Sequence, residues 1–282
     1  MACKLPGALK ALVWLIALNI AGDLDVAQAS ADQPVQFESA AVAPTPLQQR
    51  IAQASSTVPK AVPGTPLQGY LTRPPGEGPF PAVVVLHGCL GLFPSIKKTW
   101  SERLSSWGYV VLVVDSFSTR GIKETCDGRR FADRVYDAYG ALEFLSKYGF
   151  VDPQRIALMG FSAGGSATLE AVQSGGDEQL MERKFKAAIA YYPNCSAANG
   201  DMTVPTLILI GELDDRTPAQ KCQEMMTQRS GKGSSVQLDV YPGARHGFDY
   251  PGLKGQRMEY NAAAADQSIS ASHEFLKEVF GG

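Results

Sequence analysis

Short apolar runs recur along the chain from about residue 80, and segments with apolar side chains three and four positions apart lie between them. Continuous apolar runs are typical of strands buried on both faces of a parallel sheet, and the wider spacing is typical of helices that cover it. The predicted strands are 81–88, 109–117, 155–162, 186–194, 206–212 and 236–243. The pattern therefore predicts one α/β domain, with a mostly parallel central sheet and helices on both faces.

The connections between these strands limit what else the domain can contain. The predicted helices are 96–108, 131–149 and 262–280. Only 11 residues separate AAIAYYPN from TLILIGE, which is near the minimum for a parallel crossover. We therefore expect no cap domain at this connection and an open active site at that edge of the sheet.

The chain before residue 66 is predicted to be an irregular N-terminal arm, residues 30–65, ahead of a main domain at 66–282. Within the arm and just after it, VQFESA and QGYLTRP could pair as a hairpin at the sheet edge. The segment between them, about 41–64, is rich in Pro, Ala, Ser and Gln and is interpreted as loop.

The first 29 residues have the order of a secretory signal peptide. Lys4 and Lys10 provide a positive start, residues 11–22 form an apolar run, and Ala27-Gln28-Ala29 provides a small-residue cleavage site. The alternative is an uncleaved membrane anchor, but a 12-residue run is short for a bilayer. We predict cleavage after Ala29, export to the periplasm or medium, and no stable membrane insertion afterwards.

Charge and cysteine usage narrow the class of protein further. The formal net charge is −2 over 282 residues, which provides no basic patch for nucleic acid or an anionic membrane surface. After loss of Cys3 with the signal peptide, an even set of four cysteines remains for an oxidising compartment. These lack C-x-x-C spacing, so no structural metal site is predicted, and three pairings are possible. They are Cys89, Cys126, Cys195 and Cys222.

Ser162 lies in GFSAG, between a predicted strand and a segment that can begin a helix. Gly-x-Ser-x-Gly at such a turn is the nucleophile elbow. The turn holds the serine in a strained backbone conformation, and a side chain two positions away on either side would collide, which explains Gly160 and Gly164. The alternative is a tight glycine turn without a chemical role. We predict that Ser162 is a nucleophile.

A serine hydroxyl needs a general base, and the chain has three histidines. His246 lies in a loop after the last predicted strand, where the base of this kind of fold belongs. His87 ends the first central strand, as an alternative base or as a packed histidine beside the site. His273 falls within the terminal helix and is interpreted as an ordinary helix residue. His246 is therefore the predicted base.

The acid that orients the base should follow the strand between Ser162 and His246. The loop after residues 206–212 provides Asp214, three positions past Gly211 and shortly before Pro218, which can start the next helix. Asp214 is the predicted acid. Glu212 in the same loop is an alternative, Asp215 is interpreted as a solvated neighbour, and Asp249, near His246, is a stand-in for the acid.

Two backbone N–H groups are candidates for binding an oxyanion. Ala163 would begin the helix after the nucleophile, where N–H groups are free. Cys89 lies in the glycine-flanked turn HGCLGLF after the first central strand. The alternative is that this turn binds no ligand. Together these predictions describe a site for acyl transfer.

From about residue 66 to its end, the chain resembles the dienelactone hydrolase family of α/β hydrolases, and in particular an exported branch with a serine nucleophile. The resemblance is carried by HGC-G, VVDSFSTRG, VDPQRIALMGFSAGG, LILIGELDDRTPAQKC and YPGARHGFD. It implies the roles given above for Ser162, His246 and Asp214, and the backbone donors at Cys89 and Ala163.

The resemblance also bears on substrate binding and on the cysteines. Well-known cytoplasmic members use a cysteine nucleophile, have a glutamate where this chain has Gly88, and bind a substrate carboxylate with two arginines. Arg120 lies near the first arginine position, and Tyr250 occupies the second. The family's fold implies the disulfides Cys89–Cys126 and Cys195–Cys222, because it brings the strands that precede these cysteines side by side.

The sequence therefore predicts a serine hydrolase that cleaves a small-molecule ester or lactone without a metal or organic cofactor. Candidate substrate-binding residues are Arg120, Phe117 and Tyr250, and candidate aromatic pocket walls are Phe93, Phe117, Tyr192, Phe248 and Tyr250. The alternatives are a serine peptidase of the oligopeptidase type and a non-catalytic binding protein on a hydrolase fold. No oligomeric state is predicted.

Overall fold

An eight-stranded sheet runs through the part of the chain that this computed structural model describes, which is residue 1, residues 30–44 and residues 46–281. The strands are β1 (Ser30–Glu38), β2 (Pro66–Arg73), β3 (Phe80–Leu86), β4 (Val110–Asp115), β5 (Val151–Phe161), β6 (Ala187–Tyr191), β7 (Thr206–Gly211) and β8 (Val236–Tyr241). Their order in the sheet is β1-β2-β4-β3-β5-β6-β7-β8. β1 pairs antiparallel with β2, and β2 pairs antiparallel with β4. The remaining pairs in the sheet, which join β4, β3, β5, β6, β7 and β8 in that order, are all parallel.

The central strands are buried on both faces, as their continuous apolar sequences predict. Every residue from Ala82 to Leu86 in β3 and from Val110 to Val114 in β4 has 0% exposure. A side chain on either face of these strands therefore packs against a covering layer. The predicted parallel α/β architecture is confirmed.

The described part of the chain contains six α-helices. They are α1 (Pro46–Ala54), α2 (Ser101–Ser106), α3 (Arg134–Leu145), α4 (Ala163–Val172), α5 (Ala219–Gln228) and α6 (Ala262–Phe280), and a π-helical turn at Ser95–Trp100 leads into α2. α3 and α4 pack together on one face, where the Tyr139 hydroxyl donates to the Ala171 carbonyl at 2.6 Å. On the other face Trp107, just after α2, stacks on His273 of α6 with ring centroids 4.3 Å apart.

The N-terminal arm differs from the predicted irregular segment. Residues 30–38 extend the sheet as β1, and the predicted edge pairing of VQFESA with QGYLTRP is present. β1 pairs with the backbone groups on the outer side of β2, and its Phe37 is 8% exposed and stacks on Phe144 of α3. Within the segment interpreted as loop, Pro46–Ala54 forms α1, because Gln and Ala are good helix formers and proline is favoured at the first helical position.

Two disulfides join Cys89 to Cys126 and Cys195 to Cys222, so the implied pairing is confirmed. No cap domain is inserted between β6 and β7, as predicted. The predicted signal peptide, residues 1–29, lies outside the described residues except for Met1. Among the residues that are described, no helix is long and apolar enough to cross a bilayer.

Candidate active site

Ser162 occupies a sharp turn between β5 and α4, with φ 55° and ψ −117°. This backbone conformation is strained for a residue with a side chain. A Cβ added at Gly160 would overlap the Gly164 carbonyl oxygen, and one added at Gly164 would lie 2.6 Å from the carbonyl oxygens of both Leu86 and His87. The turn can therefore close only because both positions are glycine, which is the physical reason predicted from the sequence.

A continuous hydrogen-bond chain joins the three residues predicted to act together. Ser162 stands at the N-cap position of α4 but makes no capping bond, and its Oγ lies 2.9 Å from Nε2 of His246 instead. Nδ1 of His246 lies 2.7 Å from Oδ2 of Asp214. Because Nδ1–H donates its proton to the hydrogen bond with the carboxylate, Nε2 is the unprotonated nitrogen and accepts a hydrogen bond from the serine hydroxyl.

Asp214 is held as a buried anion in the turn after β7. Its Oδ1 accepts the backbone N–H groups of Arg216 and Thr217 at 2.9 Å each, and its Oδ2 accepts the Thr217 hydroxyl at 2.9 Å. Burial alone would raise the pKa of the Asp214 carboxyl, but the hydrogen bonds from His246 and Thr217 together outweigh burial and lower it. The carboxylate is therefore ionised at neutral pH and fixes one orientation of His246.

Thr217 is a site residue that the sequence analysis missed. Besides Asp214, its Oγ1 lies 3.1 Å from the carbonyl oxygen of Tyr192 and 3.2 Å from Nδ1 of His246. The signal for it is local, since an aspartate often accepts the N–H groups two and three residues ahead in a turn, and threonine can add its hydroxyl to such a motif.

The other carboxylates considered as the acid have different partners. Glu212 accepts the N–H of Gly243 at 2.9 Å, and Asp215 pairs with Arg257 on the surface at 3.2 Å. Asp249 accepts the Tyr192 hydroxyl at 2.8 Å and the Trp100 indole N–H at 3.2 Å.

Burial raises the pKa of the Asp249 carboxyl, although the hydrogen bonds from Tyr192 and Trp100 oppose this effect. Tyr192, which follows β6 with a strained φ of 39°, also packs its ring against His246 with centroids 4.7 Å apart. Asp249 therefore anchors Tyr192, the aromatic neighbour of His246, and makes no hydrogen bond to His246 itself.

The remaining two histidines have structural surroundings. Nδ1 of His87 donates to the Gly88 carbonyl at 2.8 Å, and its Nε2 accepts the Ser116 N–H at 3.2 Å, so both ring nitrogens are used in the neutral form. Burial lowers the pKa of His87 to about 4. His273 stacks on Trp107. All three histidines fall within the described ranges, and His246 is the one that bonds to Ser162.

The turn after β3 lies against Ser162 and carries the predicted oxyanion donor. A Cβ added at Gly88 would lie 3.4 Å from the Cβ of Ser162. The next residue, Cys89, is anchored through its carbonyl, which accepts the Thr125 N–H at 2.8 Å, and through its disulfide to Cys126. In the described part of the chain the Cys89 N–H has no acceptor. The Ala163 N–H is the first of α4, where helix geometry provides no intrahelical partner.

Of the predicted substrate-binding residues, the structure brings Tyr250 to the site but not Arg120 or Phe117. Arg120 forms a two-point ion pair with the buried Asp137, at 2.7 and 2.8 Å, and also donates to the Ser116 carbonyl. Phe117 is 4% exposed and packs on His87. Neither residue lines a cavity beside Ser162. Arg120 does lie near the edge of the sheet, as its sequence position predicts, but its guanidinium is bound by Asp137 on α3.

Two cavities meet at Ser162, and Cys89, Arg216 and His246 also line both. The first, of about 130 Å³, is called here the small cavity, and its apolar walls include Leu90, Phe93, Ile96, Tyr250, Leu253 and Met258. The second, of about 610 Å³, is called the large cavity, and its polar walls include Thr125, Ser166, Gln173, Asn194 and Thr217. Within the described ranges, no group of three or more His, Cys, Asp or Glu side chains is arranged to hold a metal ion.

A mostly parallel sheet with a serine on a strained strand-to-helix turn, followed along the chain by an acid and a histidine, defines the α/β-hydrolase class. Comparison with known families makes the assignment more specific. Residues 67–280 match the sequence profile described as "Dienelactone hydrolase family", and the chain belongs to this family and is a hydrolase.

Individual relatives are distant. A protein of Escherichia coli O157:H7 named "Putative carboxymethylenebutenolidase" is 26% identical over 249 residues, which cover 78% of this chain and 84% of that protein. A crystal structure of a dienelactone hydrolase-like promiscuous phosphotriesterase from metagenomic libraries superposes with a TM-score of 0.64 at 21% identity, over 89% of this chain and 99% of that one. Esterase 2 of Thermogutta terrifontis superposes with a TM-score of 0.58 at 20% identity, over 76% and 88% of the two chains. At these identities the two structures support the fold alone.

Proposed function

We propose that this protein is a serine hydrolase that cleaves carboxylic esters or lactones of small molecules through an acyl-enzyme. Ser162 is the nucleophile, His246 is the general base and acid, and Asp214 orients His246. The observation that carries the proposal is the unbroken hydrogen-bond chain Ser162–His246–Asp214, with distances of 2.9 and 2.7 Å, at a strained turn.

In the acylation step, the Ser162 Oγ attacks the acyl carbon while its proton passes to Nε2 of His246. The carbonyl oxygen becomes an oxyanion that accepts hydrogen bonds from the N–H groups of Cys89 and Ala163. Protonated His246 is stabilised by the Asp214 carboxylate and donates its Nε2 proton to the leaving alkoxide. Loss of one oxyanion donor in such a site costs about 10²–10³ in kcat.

In the deacylation step, a water molecule takes the place of the alcohol. His246 removes a proton from this water, the hydroxide attacks the acyl carbon, and the second tetrahedral intermediate uses the same two N–H groups. Collapse releases the carboxylic acid and returns the proton from Nε2 to the Ser162 Oγ. Each step uses only groups of this chain and water.

Export is part of the proposal. The two disulfides are compatible with an oxidising compartment, such as the periplasm or the medium. N-terminal sequencing of the protein recovered from a periplasmic or culture-medium fraction should begin at Ser30, and an intact Met1 would contradict cleavage.

The test is hydrolysis of p-nitrophenyl acetate by the purified protein and by Ser162→Ala. We expect activity in the parent and a loss of at least 10³-fold in the variant, because only oxyanion binding and desolvation remain. The matched control is Ser174→Ala, the same substitution at an exposed serine after α4, which should retain activity.

A second readout identifies the nucleophile directly. Paraoxon should inactivate the parent, with a diethylphosphoryl group on the peptide that contains Ser162 and release of p-nitrophenolate. Activity that survives in Ser162→Ala, or an adduct on a different residue, would contradict the mechanism. Cleavage of peptides but not esters would favour the oligopeptidase alternative, and binding without turnover would favour the non-catalytic one.

A further inference from the structure

We propose that the substrates of this site are esters that join a short apolar acyl group to a large, neutral, hydroxyl-rich alcohol such as a polyol or a sugar. The inference rests on the proposed function and deepens it. It is carried by the two cavities that meet at Ser162, because they differ in both size and polarity.

The small cavity fits a short apolar group. Its volume is about 130 Å³. An apolar protein cavity of about 150 Å³ is large enough for one benzene molecule. Its acidic wall residue, Asp249, already accepts hydrogen bonds on both carboxylate oxygens, from Tyr192 and Trp100. The walls are mainly apolar, so an alkyl or phenyl group gains by burial there, whereas a polar group would lose more hydration than these walls return.

The large cavity offers hydrogen-bonding groups over a much greater volume, about 610 Å³. Among the described residues, the side-chain amide N–H groups of Asn194 and Gln173 have no acceptor, although the Oδ1 and Oε1 atoms of these residues accept backbone N–H groups at 3.0 and 2.7 Å. The amide oxygens are therefore bound to backbone, and the amide N–H groups of these two cavity-lining residues are available to a ligand. Such donors suit hydroxyl groups of a bulky alcohol.

Carboxylates in the large cavity disfavour an anionic alcohol. Asp133, Glu170 and Asp177 line it, and the pKa values of Asp133 and Glu170 are raised, first by burial and then by repulsion from neighbouring carboxylates. Arg134 and Arg216 also line the cavity and offset part of this charge. The balance is suited to a neutral polyol, whose hydroxyl groups can donate to the carboxylates and accept from the amides.

The chemistry of deacylation decides which half of the ester occupies which cavity. Water must replace the alcohol beside Nε2 of His246, so the alcohol side must be a place where water is well accommodated. Thr217 and Ser166 line the large cavity, whose walls are mixed polar and apolar, whereas the walls of the small cavity are mainly apolar. The acyl group remains bound during this exchange, and the apolar small cavity can hold it without competing for water.

The experiment compares three esters with the purified protein by kcat/KM. Sorbitol monobutyrate has the proposed arrangement, butyl gluconate reverses it, and hexyl butyrate keeps the acyl group but replaces the polyol by an apolar alcohol with the same number of carbons. We expect sorbitol monobutyrate to be preferred by at least tenfold over each of the others. Equal rates, or a preference for butyl gluconate or hexyl butyrate, would overturn the inference.

p-Nitrophenyl acetate separates this inference from the proposed function. If it is hydrolysed in a Ser162-dependent way while the three esters show no such preference, the serine mechanism stands and the substrate assignment fails. If it is not hydrolysed in this way, the proposed function fails first.

Two variants test the cavities separately. Ile96→Phe narrows the small cavity and should lower kcat/KM for sorbitol monobutyrate more than for sorbitol monoacetate. Gln173→Leu removes an amide donor from the large cavity and should raise KM for sorbitol monobutyrate about three- to tenfold, the range of one hydrogen bond, with little change for hexyl butyrate. Equal effects of Gln173→Leu on both alcohols would contradict polyol binding in the large cavity.

Discussion

Replacement of Asp214 by asparagine tests whether the carboxylate sets the tautomer of His246. The aspartate accepts four hydrogen bonds, namely two backbone N–H groups on Oδ1 and the Thr217 hydroxyl and His246 Nδ1–H on Oδ2. Asparagine has nearly the same shape but only one oxygen. That oxygen is retained by the two backbone donors, so the amide N–H₂ must face Thr217 and His246.

The consequence is a reversal of the proton position on the imidazole. Nδ1 of His246 then accepts from the asparagine amide, and the proton moves to Nε2, which can no longer accept from Ser162. A wrong tautomer of this kind lowers kcat by about 10⁴, equivalent to about 5.5 kcal/mol in the activation barrier. We expect a loss of this order with p-nitrophenyl acetate, with an unchanged far-UV circular dichroism spectrum.

The matched control is Asp215→Asn, the same change one residue along the chain. Asp215 is about half exposed and pairs with an exposed arginine, Arg257, so its loss should change kcat by less than twofold. A loss of less than tenfold in Asp214→Asn, or equal losses in the two variants, would refute the tautomer argument.

Three further predictions follow from single contacts. Thr217→Val removes the hydroxyl donor to Asp214 and should lower kcat about tenfold at unchanged KM, with recovery in Thr217→Ser. A fall in stability without a fall in kcat would contradict this positioning role. His87 has a pKa of about 4 in the folded protein against an ordinary 6.5, so the unfolded chain binds more protons between these values, and stability is lost as the pH falls from 6.5 to 4. Denaturant unfolding should therefore show that, between pH 7 and pH 4, the free energy of unfolding falls by about 3 kcal/mol more in the parent than in His87→Asn. Equal falls in the two proteins would exclude His87 as the cause. Gly164→Ala forces a methyl group against backbone carbonyls, so it should lower the free energy of unfolding by about 1–3 kcal/mol and abolish ester hydrolysis. Gly149→Ala, with no atom within 4 Å of the added carbon, should change neither. An active, stable Gly164→Ala would contradict the argument that the turn at Ser162 requires glycine there.

Several features of the fold and site were readable from the sequence because they depend on local constraints. The strands were predictable because both faces are covered, so that apolar residues run without interruption, as in Val110–Val114. Ser162 was identifiable because its backbone conformation excludes side chains at Gly160 and Gly164. The disulfide pairing required knowledge of the family's fold, since four cysteines allow three pairings and spacing does not choose among them.

Other features were not predictable because they depend on which distant groups compete for a side chain. Arg120 lies at the expected edge of the sheet, but the buried carboxylate of Asp137 on α3 binds both terminal nitrogens of its guanidinium. The hydrophobic pattern of α3 does not reveal that the side chain of Asp137 is fully buried. In the arm, the predicted edge pairing is present, but β1 begins at Ser30 and is longer than VQFESA, because an edge strand is stabilised by its backbone hydrogen bonds to β2 and by contacts such as that of Phe37 with Phe144.

The sequence by itself determined the α/β class and the strand-to-helix turn at Ser162, since these follow from periodicity and from backbone sterics within a few residues. The tertiary structure alone decided the partners of Arg120 and Asp249, the contact of Thr217 with Asp214, and the division of the site into a small apolar cavity and a large cavity of mixed polarity. These depend on distances between segments far apart in the chain, and such distances are set only when the sheet and its covering helices pack together.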